Sequence, residues 1–539
     1  MKKITLLTIA LTISLFISSF GYSKNRMILE NNTTLLSIHL NFMSKPVLSP
    51  INSAVLSDFF KKYPDLKKYQ DQVSELYKKR SYNSIWYQND KINEFGFLLY
   101  QKLNSTYEEG VDIKMPYIDK IDQVFDESAT KKISDSDTEI MLTSMYIIYA
   151  KKIYEGLDDD TVKKTGWFLP KKKISYDGVL DSIMANPSLL SKNDEVLFYQ
   201  YYRLQEVLKK YRQIEKDNTW TTITKDSPYK DLRPDDSSST IGQVRHRLFV
   251  IGDLKNDSKS NKYDQELMDG VMIYKLRYGL TPNYIITEDH IKQMNEPIGN
   301  RIKTLMLNME RCRWIPPSLT KADEYVMVNI PSFRLFFVKN GKYDLVSEVF
   351  VGTELTKTII FSGKIDRIVF SPYWYVPQSI IKNELKSQMA ENKNYLAEHN
   401  MEWNNGQVRQ KPGPNNSLGL VKFLFPNPND IYLHDTPAKS LFQFEKRTFS
   451  HGCINVKKAK ELAIAILKDN PEWPIDKINK AMDGTKETPY ILPKKIPIYI
   501  GYFTAWVDEK GNVSFFQDVY DRDANLDKIL FPQDTTFNQ

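Results

Sequence analysis

Cysteine is almost absent from this chain. Two residues, Cys312 and Cys453, stand in 539. So few, so far apart, exclude a disulfide framework. No cysteine lies near the N-terminus, which excludes a lipidated anchor there. Charge of one sign is scarce as well. Lys and Arg number 74 against 67 Asp and Glu, a net charge of +7, and no basic stripe is clustered for nucleic acid. Beyond residue 23 no run is long and apolar enough to cross a membrane. What is present suits packed globular domains: 41% hydrophobic and 12% aromatic residues, with 32 tyrosines. The length predicts three or four domains.

Residues 1–23 open with Lys2 and Lys3, continue apolar over 4–20, and close on Gly21-Tyr22-Ser23. This is a secretory signal layout, cleaved or retained as an anchor. Residues 24–53 read as a flexible lead. Residues 54–217 show helical spacing, as in Met141, Met145, Ile148 and Ile153, and read as a helical scaffold domain. A polar linker over 218–239 follows. Residues 241–310 read as a small helical module with Val244, Leu248, Leu254, Leu267, Val271 and Tyr274 inside.

From residue 322 the pattern turns to strands. These are expected over 325–330, 334–338, 343–351, 359–361 and 368–370, with Asn340-Gly341 as a hairpin turn. Residues 378–419 interrupt them with a helical insertion, and 420–425 resume as a strand. Segments 497–506 and 513–517 flank a turn and read as a closing hairpin. Residues 508–539 complete it and trail off as a tail from 524. The fold class expected is multidomain α+β: a helical scaffold and small helical module, then a β-rich domain with a helical capping insertion.

Chemistry concentrates in 431–456, which holds Cys453, His434 and His451. A thiol needs a base to become a nucleophile at neutral pH, because the thiolate is the reactive form. A strand over 431–434 followed by a loop can bring His434 back to Cys453. Helical spacing over 457–467 places Cys453 just before a helix, whose N-terminus favours an anion. Two other readings use the same residues: a buried, inert thiol, and a zinc site of His434, Asp435, His451 and Cys453. Cys312 is expected buried and unpaired.

His434, fifteen residues, then Ser-His-Gly-Cys-Ile-Asn resembles the signature of the YkuD-type L,D-transpeptidase catalytic domain. The resemblance implies Cys453 as nucleophile, His434 as general base and His451 as a secondary candidate. It implies Gly452 at the oxyanion turn, and it places the catalytic domain over 322–507. Ser371-Pro-Tyr-Trp-Tyr-Val-Pro377 is similar to an element leading to that family's active site, so Trp374 and Tyr375 are expected to line the donor groove. Tyr432 and Arg447 are expected at the substrate wall and its carboxylate. Asn455 stands where the family often has Arg. The insertion over 378–419 and the string KPGPNNSLGLVKFLFPNP resemble the large, capped, YcbB-like subgroup. The helical module resembles a peptidoglycan-binding module, with Pro282-Asn283 replacing the usual Asp-Gly.

The implied activity is cross-linking of peptidoglycan stem peptides between diamino acids, through a Cys thioester, without metal or cofactor. The alternatives are L,D-carboxypeptidase or D-amino-acid exchange on the same fold, or a non-catalytic wall-binding scaffold. The implied partners are stem peptides, not nucleic acid. The implied location is the periplasm, with membrane contact only if the N-terminal segment stays as an anchor.

Overall fold

The structure, a computed structural model, describes residues 51–130, 132–190 and 196–532. The expected signal over 1–23, most of the lead, and the end of the tail fall outside these residues. Among the described residues no helix is long and apolar enough to cross a membrane.

The first region is helical and is organised around Asp135–Ala150. Almost every position of that helix from Thr138 onward is buried, as a helix apolar on all sides must be. Its one buried acid, Glu139, accepts the N–H groups of Ile85 (2.7 Å) and Trp86 (3.0 Å) and the Tyr77 hydroxyl (2.9 Å). Burial lifts its carboxyl to about 6. A two-stranded hairpin, β1 (Tyr87–Gln88) and β2 (Lys91–Ile92), lies in this region, and β3 (Trp167–Phe168) leaves it.

The helical module comprises Ser239–Ile251, Gln265–Tyr278 and Glu288–Met294. The first two end on left-handed glycines, Gly252 and Gly279. Its expected core residues are buried. The expected boundary at 310 cuts through a continuous helix, Ile298–Trp314, which leaves the module and lies along Gln200–Lys216 of the scaffold region. The linker expected over 218–239 is pinned to the module. Ile223 exchanges two hydrogen bonds with the Asn295 amide, and Leu232 bridges Ile286.

The β-rich region runs β4 (Glu324–Asn329), β5 (Arg334–Lys339), β6 (Lys342–Gly352), β7 (Ile360–Phe370), β8 (Trp374–Tyr375), β9 (Met401–Asn404), β10 (Gln407–Gln410), β11 (Val421–Leu424), β12 (Leu433–His434), β13 (Thr448–Ser450), β14 (Ile454–Val456), β15 (Thr488–Gly501), β16 (Ala505–Val507) and β17 (Val513–Phe515). Strands pair in the order β11-β12-β14-β6-β5-β4-β15-β7, and β7 pairs again with β11. The sheet therefore closes on itself around Val326, Leu335, Val349, Phe423, Leu433 and Ile498, all fully buried. The scaffold strand β3 adds to the edge of β7 that β11 leaves open, Trp167 opposite Ile360.

Three expectations are corrected. The short strands at 359–361 and 368–370 are the two ends of β7, because the polar residues between them still alternate with buried Ile365. Residues 497–501 are not a hairpin arm but the end of β15, between β4 and β7. The closing hairpin is only β16 and β17. The tail contains the helix Arg522–Leu530, started by the Asp518 carboxylate, which accepts the N–H groups of Arg522 and Asp523 at 2.9 and 2.8 Å.

The insertion forms a cap of its own. Strands β8, β10 and β9 and short helices enclose a separate apolar cluster of Val376, Ile380, Leu385, Met401 and Val408.

Candidate active site

Two short parallel strands assemble the site. In the β12–β14 register Leu433 lies opposite Ile454 and His434 opposite Asn455. Leu433 and Ile454 are fully buried on the core face. Side chains alternate along a strand, so Tyr432, His434, Cys453 and Asn455 share the other face. Cys453 stands at the head of β14 beside Tyr432, since the Ile454 N–H donates to the Tyr432 carbonyl at 3.1 Å. The rings of Tyr432 and His434 are 5.6 Å apart.

His434 is buried, and its Nδ1 lies 2.6 Å from the Asp435 carbonyl oxygen. A carbonyl only accepts, so Nδ1 carries the hydrogen and Nε2 holds a free lone pair. Burial is the main cause that pulls this imidazole down to about 4. The Asp435 carboxylate is engaged elsewhere: it accepts the Leu420 N–H at 2.9 Å and pairs with the Lys439 ammonium at 2.5 Å. Asp435 therefore orients the imidazole through its backbone.

Cys453 is half-buried, and its Sγ is 3.6 Å from the Asp430 carbonyl. Burial pushes the thiol up to about 11, against the opposing pull of hydrogen bonds from Tyr432. The expected helix N-terminus does not reach it. The β-branched pair Ile454 and Val456 enters the core as β14, and the helix Ala459–Leu467 begins only beyond it.

Ser450 builds the turn. Its hydroxyl donates to the Cys453 carbonyl at 2.5 Å and accepts the Gly452 N–H at 3.1 Å. Gly452 has φ +119°, a left-handed conformation that favours glycine. Its carbonyl accepts from the Thr358 hydroxyl at 2.8 Å. Gly452 thus gives the turn its shape while its own N–H is engaged. Among the described residues, the N–H groups of His451 and Cys453 have no partner in the fold.

His451 is exposed, with Nε2 2.7 Å from the Glu384 carboxylate on the cap. Trp374 packs half-buried against the cap's apolar cluster. Tyr375 is 44% exposed and faces Arg409, whose guanidinium also lies 4.1 Å over Tyr373. Arg447 was expected at the substrate carboxylate. Its buried guanidinium donates to the carbonyls of Phe444 (2.8 Å) and Val349 (3.3 Å) and lies 5.2 Å over Phe333. Those carbonyls sit where the loop joins β6 and need donors once buried. Cys312 is buried and free, as is the Cys453 thiol of any disulfide. Among the described residues no three His, Cys, Asp or Glu side chains converge as metal ligands.

Sequence reading missed Ser450, Thr358, Gly419 and Glu384. Ser450 carried a signal, as part of the motif. Gly419 carried none, although it has φ +61° and a Cβ there would lie 2.3 Å from the Asp435 carboxylate. A cavity of about 900 Å³ lies elsewhere, between the helical module, the closing segment and loop residues Glu445 and Lys446.

Residues 323–486 match the YkuD family, described as the L,D-transpeptidase catalytic domain, and residues 71–208 match a family described as the scaffold domain. A curated Haemophilus influenzae protein, whose name marks its L,D-transpeptidase assignment as provisional, is 32% identical over 254 residues, 43% of this chain. The chain spans about half the length of that relative (50%). Solved structures of similar chains include an L,D-transpeptidase from Stackebrandtia nassauensis (15% identity, 43% of this chain and 91% of that chain, TM-score 0.21). Another is from Mycobacterium smegmatis (12% identity, 33% of this chain and 58% of that chain, TM-score 0.20).

Proposed function

We propose, for a chain that carries a YkuD-type L,D-transpeptidase catalytic domain over 323–486 and a scaffold domain over 71–208, that it cross-links peptidoglycan stem peptides by cysteine acyl transfer. The observation that carries this reading is the shared face of His434 and Cys453 on neighbouring parallel strands, with the imidazole tautomer fixed by the Asp435 carbonyl.

In the proposed cycle, His434 Nε2 takes the Sγ proton as sulfur attacks the donor-stem carbonyl of the diamino acid. The tetrahedral oxyanion is met by the N–H groups of His451 and Cys453, the unpartnered donors of the turn. His434 then gives its proton to the leaving amine, D-Ala departs, and a thioester remains on Cys453. A side-chain amine of a second stem attacks that thioester. His434 removes the amine's proton and returns it to sulfur as the new amide forms. General base catalysis of this kind contributes about 10²–10⁴-fold.

The electrostatics set the order of events. Burial holds the thiol up at about 11 and the imidazole down at about 4, and both shifts favour the uncharged forms. The resting pair is therefore neutral, and proton transfer accompanies attack. The cap closes over this chemistry through Glu384 and His451. The substrate is a wall polymer, so the site of action is the periplasm.

The test is intact-mass analysis of purified protein incubated with a tetrapeptide donor or a carbapenem. A mass shift on Cys453, absent in Cys453→Ala and with cross-linked dimers formed only by the former, is the expected result. Cross-linking by Cys453→Ala would refute the assignment.

A further inference from the structure

The loop between His434 and Cys453 has to hold base and nucleophile in register while it carries little regular structure of its own. It contains one turn of 3₁₀ helix, Lys439–Gln443, and the short β13. Its anchors to the barrel are visible. Lys439 donates to the Lys457 carbonyl at 2.9 Å, Phe442 packs on Phe350 at 5.1 Å, and the Arg447 carbonyl accepts the Val351 N–H at 2.9 Å. One side chain goes the other way. Glu445 leaves the barrel and accepts the Thr281 N–H of the helical module at 2.9 Å, across 164 residues of sequence.

The module presents a prepared receptor for that carboxylate. Gly279, at φ +72°, ends the helix Gln265–Tyr278 and turns the chain, so the Thr281 N–H, just before Pro282, points outward instead of into the helix. His290 lies behind it. Its Nδ1 accepts the Thr287 N–H at 2.9 Å within a capping box, so in the neutral ring the hydrogen sits on Nε2. That Nε2 is 3.8 Å from Glu445 Oε1, and the ring is buried. The contact with His290 and the Thr281 N–H hold the carboxyl down at about 2, so it is an anion at every working pH. A charge-assisted hydrogen bond of this type is about twice as strong as a neutral one. The other ties of this loop named above run to the barrel, whereas this one fixes it to the module.

We propose that Glu445 is a positioning residue for acyl transfer: its carboxylate clamps the loop joining base and nucleophile to the helical module, and the module thereby sets the readiness of the Cys453–His434 pair. The inference rests on Cys453 being the acylated nucleophile. The module acts here as a part of the catalytic device.

The experiment compares full-length wild type, Glu445→Ala and Glu445→Gln. The Gln variant keeps a carbonyl for the Thr281 N–H and loses the charge facing His290. Carbapenem acylation is followed by intact mass over a range of inhibitor concentrations, and hydrogen exchange is followed on amides 439–453. Glu445→Ala should lower the maximal acylation rate about tenfold, with the half-saturating concentration unchanged. It should speed exchange in the loop, and Glu445→Gln should recover part of both. Exchange and maximal rate both at wild-type values in Glu445→Ala would overturn the proposal. So would a loss that Glu445→Gln leaves untouched, or one accompanied by faster exchange throughout the barrel. If the wild type itself is not acylated on Cys453, the transpeptidase reading fails; unchanged loop exchange in Glu445→Ala then overturns the clamp independently.

Discussion

The neutral resting pair makes a prediction about Cys453 that does not need the natural substrate. Simple alkylation by iodoacetamide requires thiolate and receives no help from a base in the transition state. With the thiol raised from its ordinary 9.0 to about 11 by burial, the thiolate fraction at pH 7 is about 10⁻⁴. Alkylation at pH 7 should therefore be slower than that of an exposed cysteine by about a hundredfold, and should rise about tenfold per pH unit from 7 to 9 without levelling. Acylation by a carbapenem should behave differently, because His434 Nε2 removes the proton during attack. Its rate should be nearly flat over the same range and should fall only as the imidazole protonates, toward its value of about 4. His434→Gln should abolish the flat acylation profile and leave the steep alkylation profile in place. Mass spectrometry of Cys453 at a series of pH values measures both. An alkylation rate that is already at its plateau at pH 7, and that collapses in His434→Gln, would show a standing thiolate–imidazolium pair and refute the argument.

Three further outcomes follow from the same geometry. Ser450→Ala removes the donor to the Cys453 carbonyl and the acceptor of the Gly452 N–H; thermal unfolding should show a loss of about 1–3 kcal/mol, with slower acylation. Gly419→Ala sets a Cβ 2.3 Å from the Asp435 carboxylate at φ +61°; it should cost more than about 2 kcal/mol and, by moving the Asp435 carbonyl, lower acylation further than a surface Gly→Ala control. His434 stays neutral when buried, with its value depressed from 6.5 to about 4. The unfolded chain binds the extra proton first, so this contribution is intact above pH 6.5 and is lost as pH falls toward 4. It amounts to about 3 kcal/mol. Denaturant titrations should show His434→Gln losing less stability than wild type between pH 6.5 and 4.

The candidate site was legible as a cluster because its residues are local in sequence. Cys453, His434 and the glycine turn lie within one stretch, and their spacing reports a strand, a loop and a turn. What the stretch concealed was long-range. Arg447 resembles an exposed carboxylate ligand in sequence, and only the nearness of Val349 and Phe333 shows it to be a buried strut. The helix after Cys453 was expected from 457 and begins at Ala459, and Ile454-Asn455-Val456 shows itself a strand only where β6 and β12 pair with it. Residues 497–501 read as a hairpin arm because the partners of β15 are β4 and β7, far earlier in the chain. Helical spacing in the scaffold region and module was plain, while the continuity of Ile298–Trp314 across both was not, since no breaker residue marks where a domain stops.

The position of β15 also governs how the protein can be made. The strand leaves the ribosome after every other strand of the barrel, yet its neighbours on both sides belong to the first half of the barrel. Until residue 501 is available, β4 and β7 each present a row of bare amides and carbonyls, open to any stray strand. A fragment ending at 486 would keep those two seams permanently unzipped. Shortening this protein from its C-terminal side should therefore yield aggregates, whereas the same number of residues removed from the outer turns of the cap should not.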